Sequence, residues 1–407
     1  MRGAMSPGGT LDVAVVGAGP AGSRTARLLA EAGLQVTILE EHSEVGRPIQ
    51  CAGLISNRVF EELGEEVGVL NRVSGARIHS PSGHVIAFDA GQPRANVVDR
   101  AAFDQTLARQ AVDAGATLGL ERRVTEVRAS ASGCSLLVRD RTSSGASVEE
   151  LVCRAIVGAD GPSSLVRRSL GFQRPRHKLI AFQVAFSSPE AISTDHVDLF
   201  GGRDVAPGFF AWVVPQGEHS GLVGLASEPG GMHPKARLEA FMARDDIREI
   251  LPNIQLTAHH AGAIPIGPIH RPVSDRVVLV GDAAAQAKAT SGGGVYPGLV
   301  AARHAATALV RAHEDGDLST KNLMAYPKAF EREVGAELAK AARLRRSFRA
   351  MSDRMVDDLI VTLDDPDLLD TIVQEGDIEF PSRLVRALLR KSPRLLRLAG
   401  PLLRGFF

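Results

Sequence analysis

A chain of 407 residues, 44% of them hydrophobic, can build two packed domains with large cores. Its 47 basic and 47 acidic residues cancel, which removes the electrostatic footing of a nucleic-acid binder. No uninterrupted apolar run reaches the roughly 18 residues of a membrane-spanning helix, and residues 1–10 lack the hydrophobic stretch of a signal peptide. Cys51, Cys134 and Cys153 form neither a metal-ligand spacing nor an even disulfide set, so a cytoplasmic protein without a metal is expected.

Residues 11–16 predict a short buried strand, and residues 21–32 predict the helix that follows. Between them, Gly17-Ala18-Gly19-Pro20-Ala21-Gly22 allows a tight turn, close approach to a pyrophosphate and close helix–strand packing. The helix N-terminus offers free N–H groups and the positive end of its dipole to phosphate. A second strand over 35–39 ends in Glu40, placed to accept hydrogen bonds from a ribose and to disfavour a 2′-phosphate. A hairpin is expected over 76–79 and 85–88, turning at Ser82-Gly83, then a helix from Arg100 and short strands over 135–138 and 148–153. Residues 155–161 run as a strand into Asp160-Gly161. Strands over 179–186, 209–214 and 221–226 make the next stretch β-rich, with His259-His260 read as structural. Residues 276–280 form a strand ending in Gly281-Asp282, followed by Gly292-Gly293-Gly294 and an alanine-rich helix. The pattern from about residue 322 onward is helical.

The ordered set of Gly17–Gly22 with Glu40, then Asp160-Gly161, then Gly281-Asp282 resembles the FAD fingerprints of the p-hydroxybenzoate-hydroxylase-like flavoproteins. The resemblance implies an α/β fold: a Rossmann-like FAD domain of the glutathione-reductase type, an inserted antiparallel β-sheet substrate domain and a helical C-terminal region. The FAD domain would comprise 10–72, 99–174 and 275–325, with a substrate-domain hairpin at 73–98, the β-rich substrate domain at 175–274 and the helical region at 326–407. It also implies that Asp282 holds a ribityl hydroxyl, and that the helix after the third motif points at the flavin pyrimidine edge. The implied FAD contacts are Gly17, Gly19, Ala21, Gly22 and Glu40 from the first motif, Asp160 and Gly161 from the second, and Gly281, Asp282, Gly293 and Gly294 from the third. Val124 joins them, as do Arg47 and Arg100, each with a surface salt bridge as its alternative role.

Three finer stretches resemble the geranylgeranyl reductase family: residues 47–56, residues 207–217, and residues 281–296. In the second, Phe210 stands where that family has tyrosine and Val214 where it has phenylalanine. In the third, Ala285 and Ala289 stand where glycine and proline are common. The implied activity is saturation of isoprenoid chains with reduced FAD. An isolated alkene accepts hydride only if a proton reaches its other carbon, and a positioned acid contributes about 10²–10⁴-fold to such a step. Cys51 and then Tyr296 are the donor candidates, Cys51 being also readable as a buried structural thiol. Phe210, Trp212 and Pro215 are expected to line the substrate cavity, Trp212 with an aromatic face for developing positive charge or as plain bulk.

Arg383, Arg386, Arg390, Lys391, Arg394, Arg397 and Arg404 accompany leucines at helical intervals, which suggests peripheral contact with an anionic membrane or packing on the protein body. No second dinucleotide motif is visible, so NAD(P)H, ferredoxin or a deazaflavin remain equal as electron donors, the second implying a redox partner protein. Two alternatives share the FAD motifs: an aromatic monooxygenase, and an electron-transfer flavoprotein that reduces quinone. No cysteine follows Cys153, which removes the iron–sulfur cluster of the quinone-reducing relatives. No lysine precedes Lys178, which argues against a flavin halogenase.

Overall fold

The computed structural model describes residues 11–130, 132–142 and 147–395. Five strands run parallel in the order Val277–Leu279, Val148–Gly158, Leu11–Val16, Val36–Leu39, Thr117–Gly119. A parallel sheet needs cover on both faces. Val13 and Val15 point to one side, where the helices Pro20–Glu31, Arg100–Asp113 and Val295–Glu314 pack, while Ala14 and Val16 point to the other. There the antiparallel pair Arg122–Ser130 and Gly133–Asp140 supplies Val127, Leu136 and Val138. This is the α/β class expected from the motifs.

The second sheet has seven strands and stands apart from the first. The hairpin is present, Gly75–His79 pairing antiparallel with Val85–Asp89, and it extends this second sheet. The remaining strands run in the order Gln255–Ile266, His177–Ser187, Ser220–Ser227, Ala211–Gly217, His196–Phe200. Alternation along each strand divides the sheet into two faces. Leu179, Ala181, Trp212, Val214 and Ala226 look towards the first sheet's loops, whereas Val184, Ala211, Val213 and Val223 pack under the helices Pro234–Met242 and Asp245–Ile250.

Helices from Ala336 onward wrap back over both sheets, and a buried ion pair fastens them. Lys288 Nζ lies 2.7 Å from Glu379 Oε2, with the side chains 3% and 4% exposed. Lys288 also donates to the Ile378 carbonyl, and Ser56 Oγ donates to the other Glu379 oxygen. Removing one partner leaves the other charge buried and alone, a loss of about 3–5 kcal/mol. Lys288→Met is therefore expected to lower the melting temperature by roughly 4–6 °C in calorimetry; a fall under about 1 °C would contradict the burial of that charge.

The helix Pro381–Lys391 turns Leu384, Val385, Leu388 and Leu389 inward onto Leu368 and Ile372. Its apolar face is thus used by the protein itself, while Arg383, Arg386, Arg390 and Lys391 are exposed. Arg397 and Arg404 lie outside the described residues. Among the described residues no helix is long and apolar enough to cross a membrane.

Candidate active site

The three glycine-and-acid motifs meet at the ends of the parallel strands. A Cβ on Gly17, whose φ is +100°, would stand 2.4 Å from the Ala159 carbonyl oxygen. One on Gly22 would stand 2.1 Å from the Gly17 oxygen. Gly19 differs, since a Cβ there would meet nothing within 4 Å. It caps the Pro20–Glu31 helix without a side-chain hydrogen bond, leaving bare N–H groups on an open face. Ala21 lies against Gly281 and Gly298, joining the first motif to the third. Glu40 accepts hydrogen bonds from the Ala18 N–H at 2.9 Å and from the His42 ring at 2.6 Å. Val124 is buried on the strand whose Arg122 N–H donates to the Glu40 carbonyl.

Asp160 Oδ2 accepts from the Leu165 and Val166 N–H groups, and its buried Oδ1 has no partner among the described residues. Gly161 follows with φ +71°. Arg167, which the motifs did not flag, bridges the second and third loops by donating to the Pro162 and Ala283 carbonyls. The third loop is held from beneath: Gly281 N–H donates to Gln286 Oε1, Gln286 Nε2 to Tyr326 Oη, and Tyr326 Oη to the Leu279 carbonyl. Lys288 N–H donates to the Gly293 carbonyl, and a Cβ on Gly294 would stand 3.1 Å from Asp282 Oδ1.

The Asp282 carboxylate receives no hydrogen bond from a described residue. Burial pushes its pKa up to about 6, against the opposing pull of Arg100 and Arg167. A raised carboxyl pKa favours the folded state at low pH, and that advantage is lost as pH rises from the unfolded value through about 6. Asp282→Asn should therefore raise the melting temperature of the FAD-free protein at pH 8 by about 2–4 °C, with the gain vanishing below about pH 4. The same substitution should weaken FAD binding at pH 8. Equal stability at both pH values would contradict the strain assigned to this carboxylate.

Arg100 is deeply buried, donates to Asp104 Oδ1 at 2.7 Å and keeps an unpartnered Nε. Burial works against its charge, and Asp104 together with the Cys51 side chain more than offsets that, holding its pKa above the ordinary arginine value. Cys51, half-buried, also accepts weakly from the Gly53 N–H at 3.5 Å. Its neighbours reach the second sheet: Ala52 packs among the Trp212 cluster, and Gln50 lies against Gly262. Phe209 and Ile264 of that sheet lie against Gly292. The loops that carry Cys51 and Asp282 thus both abut the face of the second sheet that carries Phe209 and Trp212, and Arg100 acts electrostatically on both side chains.

Other expectations fare differently. Arg47 sits at the rim, paired with Glu44 at 3.2 Å and 56% exposed. Pro215 is on the opposite face from Trp212, where with Val213 it lines a separate cavity of about 340 Å³ beside Arg77, His79 and Asp198. Tyr296 belongs to the core of the first sheet rather than to the Trp212 cluster, and burial raises its pKa. His260 shares a sheet face with Trp212 through the strand register, while His259 packs against Phe182 on the other face.

The site's open glycine, unpartnered Asp282 carboxylate and orphaned Arg100 Nε fit a nucleotide with a polyhydroxyl linker, and together with the parallel sheet define an FAD-dependent oxidoreductase. Residues 10–334 match the family model described as FAD binding domain. Digeranylgeranylglycerophospholipid reductase of Methanothrix thermoacetophila is 30% identical over 95% of this chain and 97% of its own length. Digeranylgeranylglycerophospholipid reductase 1 of Methanococcoides burtonii is 32% identical over 88% of each. The chain belongs to the geranylgeranyl reductase family. Its fold is shared with the crystal structure of a geranylgeranyl bacteriochlorophyll reductase-like protein of Thermoplasma acidophilum, with TM-score 0.84 and 24% identity over 97% of this chain and 99% of that one. CmlS, a flavin-dependent halogenase, gives TM-score 0.67 at 20% identity, over 96% and 72%.

Proposed function

We propose that the protein saturates the carbon–carbon double bonds of geranylgeranyl chains on membrane-lipid precursors. What supports this is the packing of the Cys51–Ala52 loop, with Arg100 acting on the thiol, against the sheet face that carries Phe210 and Trp212 and beside the glycine loops. FAD, held by Gly17–Gly22, Arg100 and Asp282 and reduced by an external donor, supplies the hydride. The protein supplies the rest. The Trp212 face of the second sheet is lined by aliphatic and aromatic side chains, which suit a polyene and exclude water. Cys51 Sγ–H gives its proton to one alkene carbon, and the nearby guanidinium of Arg100 stabilises the thiolate that remains. Solvent at the half-exposed end of the loop returns the proton. The exposed basic face of Pro381–Lys391 would meet an anionic bilayer surface, each cation worth about 1 kcal/mol near it.

The test is direct. Dithionite-reduced holoenzyme incubated anaerobically with a geranylgeranyl ether lipid should produce species heavier by two hydrogens per double bond in mass spectrometry. Unaltered lipid beside flavin that reduces and reoxidises normally would sink the proposal. Oxygen consumption triggered only by a phenol would favour a monooxygenase instead.

A further inference from the structure

The face of the second sheet that carries Trp212 has a polar row running across adjacent strands. Trp212 pairs with Gly224, Gly224 with Gln183, and Gln183 with His260, so these residues share a face in a row across four strands. A Cβ on Gly224 would stand 2.5 Å from Gln183 Cβ and 2.9 Å from Trp212 Cε2. The polar edge of the indole and the glutamine therefore converge over that glycine. Gln183 is 4% exposed and Trp212 9%. Yet Trp212 Nε1, Gln183 Nε2 and Gln183 Oε1 all lack a hydrogen-bond partner among the described residues. The orphaned arginine and Asp160 atoms differ, because those residues bond through their other atoms; Gln183 has lost both ends of its amide. A buried polar group left unpaired is costly, so three together on one spot of this face point to a missing partner.

The donor set describes that partner. Two N–H donors suit an uncharged accepting oxygen, and the Gln183 carbonyl takes the proton of a hydroxyl or of a water bound beside an ether; a phosphate would call for a cation, and no described cation bonds to either side chain. At the edge strand, His260 feels the charge of Arg47 on the exposed rim. We propose that Gln183 and Trp212 form a subsite for the neutral oxygen, ether or hydroxyl, at the root of a prenyl chain. The charged headgroup then lies outward past His260 and Arg47, and the polyene runs inward along Phe210 and Val214. This rests on the prenyl-reductase reading and adds to it a handle by which one end of the chain is recognised.

Binding to the oxidised holoenzyme, followed by perturbation of the flavin spectrum, separates recognition from turnover. The probes are geranylgeraniol and a hydrocarbon polyene of equal length without oxygen. Gln183→Leu should weaken the alcohol about five- to tenfold and the hydrocarbon less than about twofold, and Trp212→Phe should weaken the alcohol about threefold. Flavin content and melting temperature verify that each variant is folded, with Gln183→Met as the second replacement. Equal weakening of both probes would make the pair structural, and no change in either would mean that it holds only water; each overturns the subsite. Wild-type enzyme that fails to distinguish the probes overturns it as well. Discrimination without any reduction by the reduced enzyme would leave the subsite standing while the prenyl-reductase reading falls.

Discussion

Gly22→Ala is expected to yield protein that purifies without FAD. Two effects compete at this position. Alanine favours a helix over glycine by about 1 kcal/mol, and Gly22 lies in the first turn of Pro20–Glu31. Against that, the added Cβ would stand 2.1 Å from the Gly17 carbonyl oxygen and 3.0 Å from Ala159 Cβ. Gly17 cannot retreat, because it already abuts Ala159 closely enough to forbid a Cβ of its own. The turn must open, and the phosphate site opens with it. Gly19→Ala makes the control, since its Cβ meets no protein atom within 4 Å. That variant should keep its melting temperature and lose FAD affinity by about tenfold, through crowding of the ligand alone. The ratio of flavin to protein absorbance after purification reads both results. Full flavin content in Gly22→Ala would mean that the turn does not carry the pyrophosphate.

Cys51→Ala should slow prenyl reduction by about 10²–10⁴-fold while leaving FAD content unchanged. A free thiol, with a pKa near 8.5, is a weak acid for an alkene, so its surroundings must help it. The buried Arg100 guanidinium lies close enough to interact with the thiol electrostatically, and a thiolate there would be stabilised where a hydroxyl's anion would form far less readily. Cys51→Ser keeps the size and is therefore expected to be nearly as slow as Cys51→Ala. A structural thiol would give the opposite pattern, with serine close to wild type. Rates within about threefold of wild type would place the proton source elsewhere.

The glycine turns and the acids that end the strands were legible because each is a local requirement of backbone and ligand. Residues that depend on strand register were not. Gln183 and His260 lie 77 residues apart and become neighbours only through the pairing of His177–Ser187 with Gln255–Ile266. Nothing local distinguishes His260 from His259, although their faces differ. Lys288 reads as a surface lysine until Glu379, from the C-terminal wrap, buries it. Pro215 was misplaced for a reason visible in the chain itself, since residues three apart on a strand point to opposite faces. Tyr296 opens the helix Val295–Glu314, which turns its side chain into the helical layer of the first sheet and away from the second.

Trp212 is the single tryptophan of the chain, so its fluorescence reports its own surroundings alone. Titrating FAD into the apoprotein should quench this emission and saturate at one flavin per chain. Adding a geranylgeranyl ether lipid to the oxidised holoenzyme should then shift the residual emission, as an oily chain settles against the indole. Emission that ignores both ligands, while flavin binds with full stoichiometry, would contradict a cleft in which ring and polyene meet at Trp212.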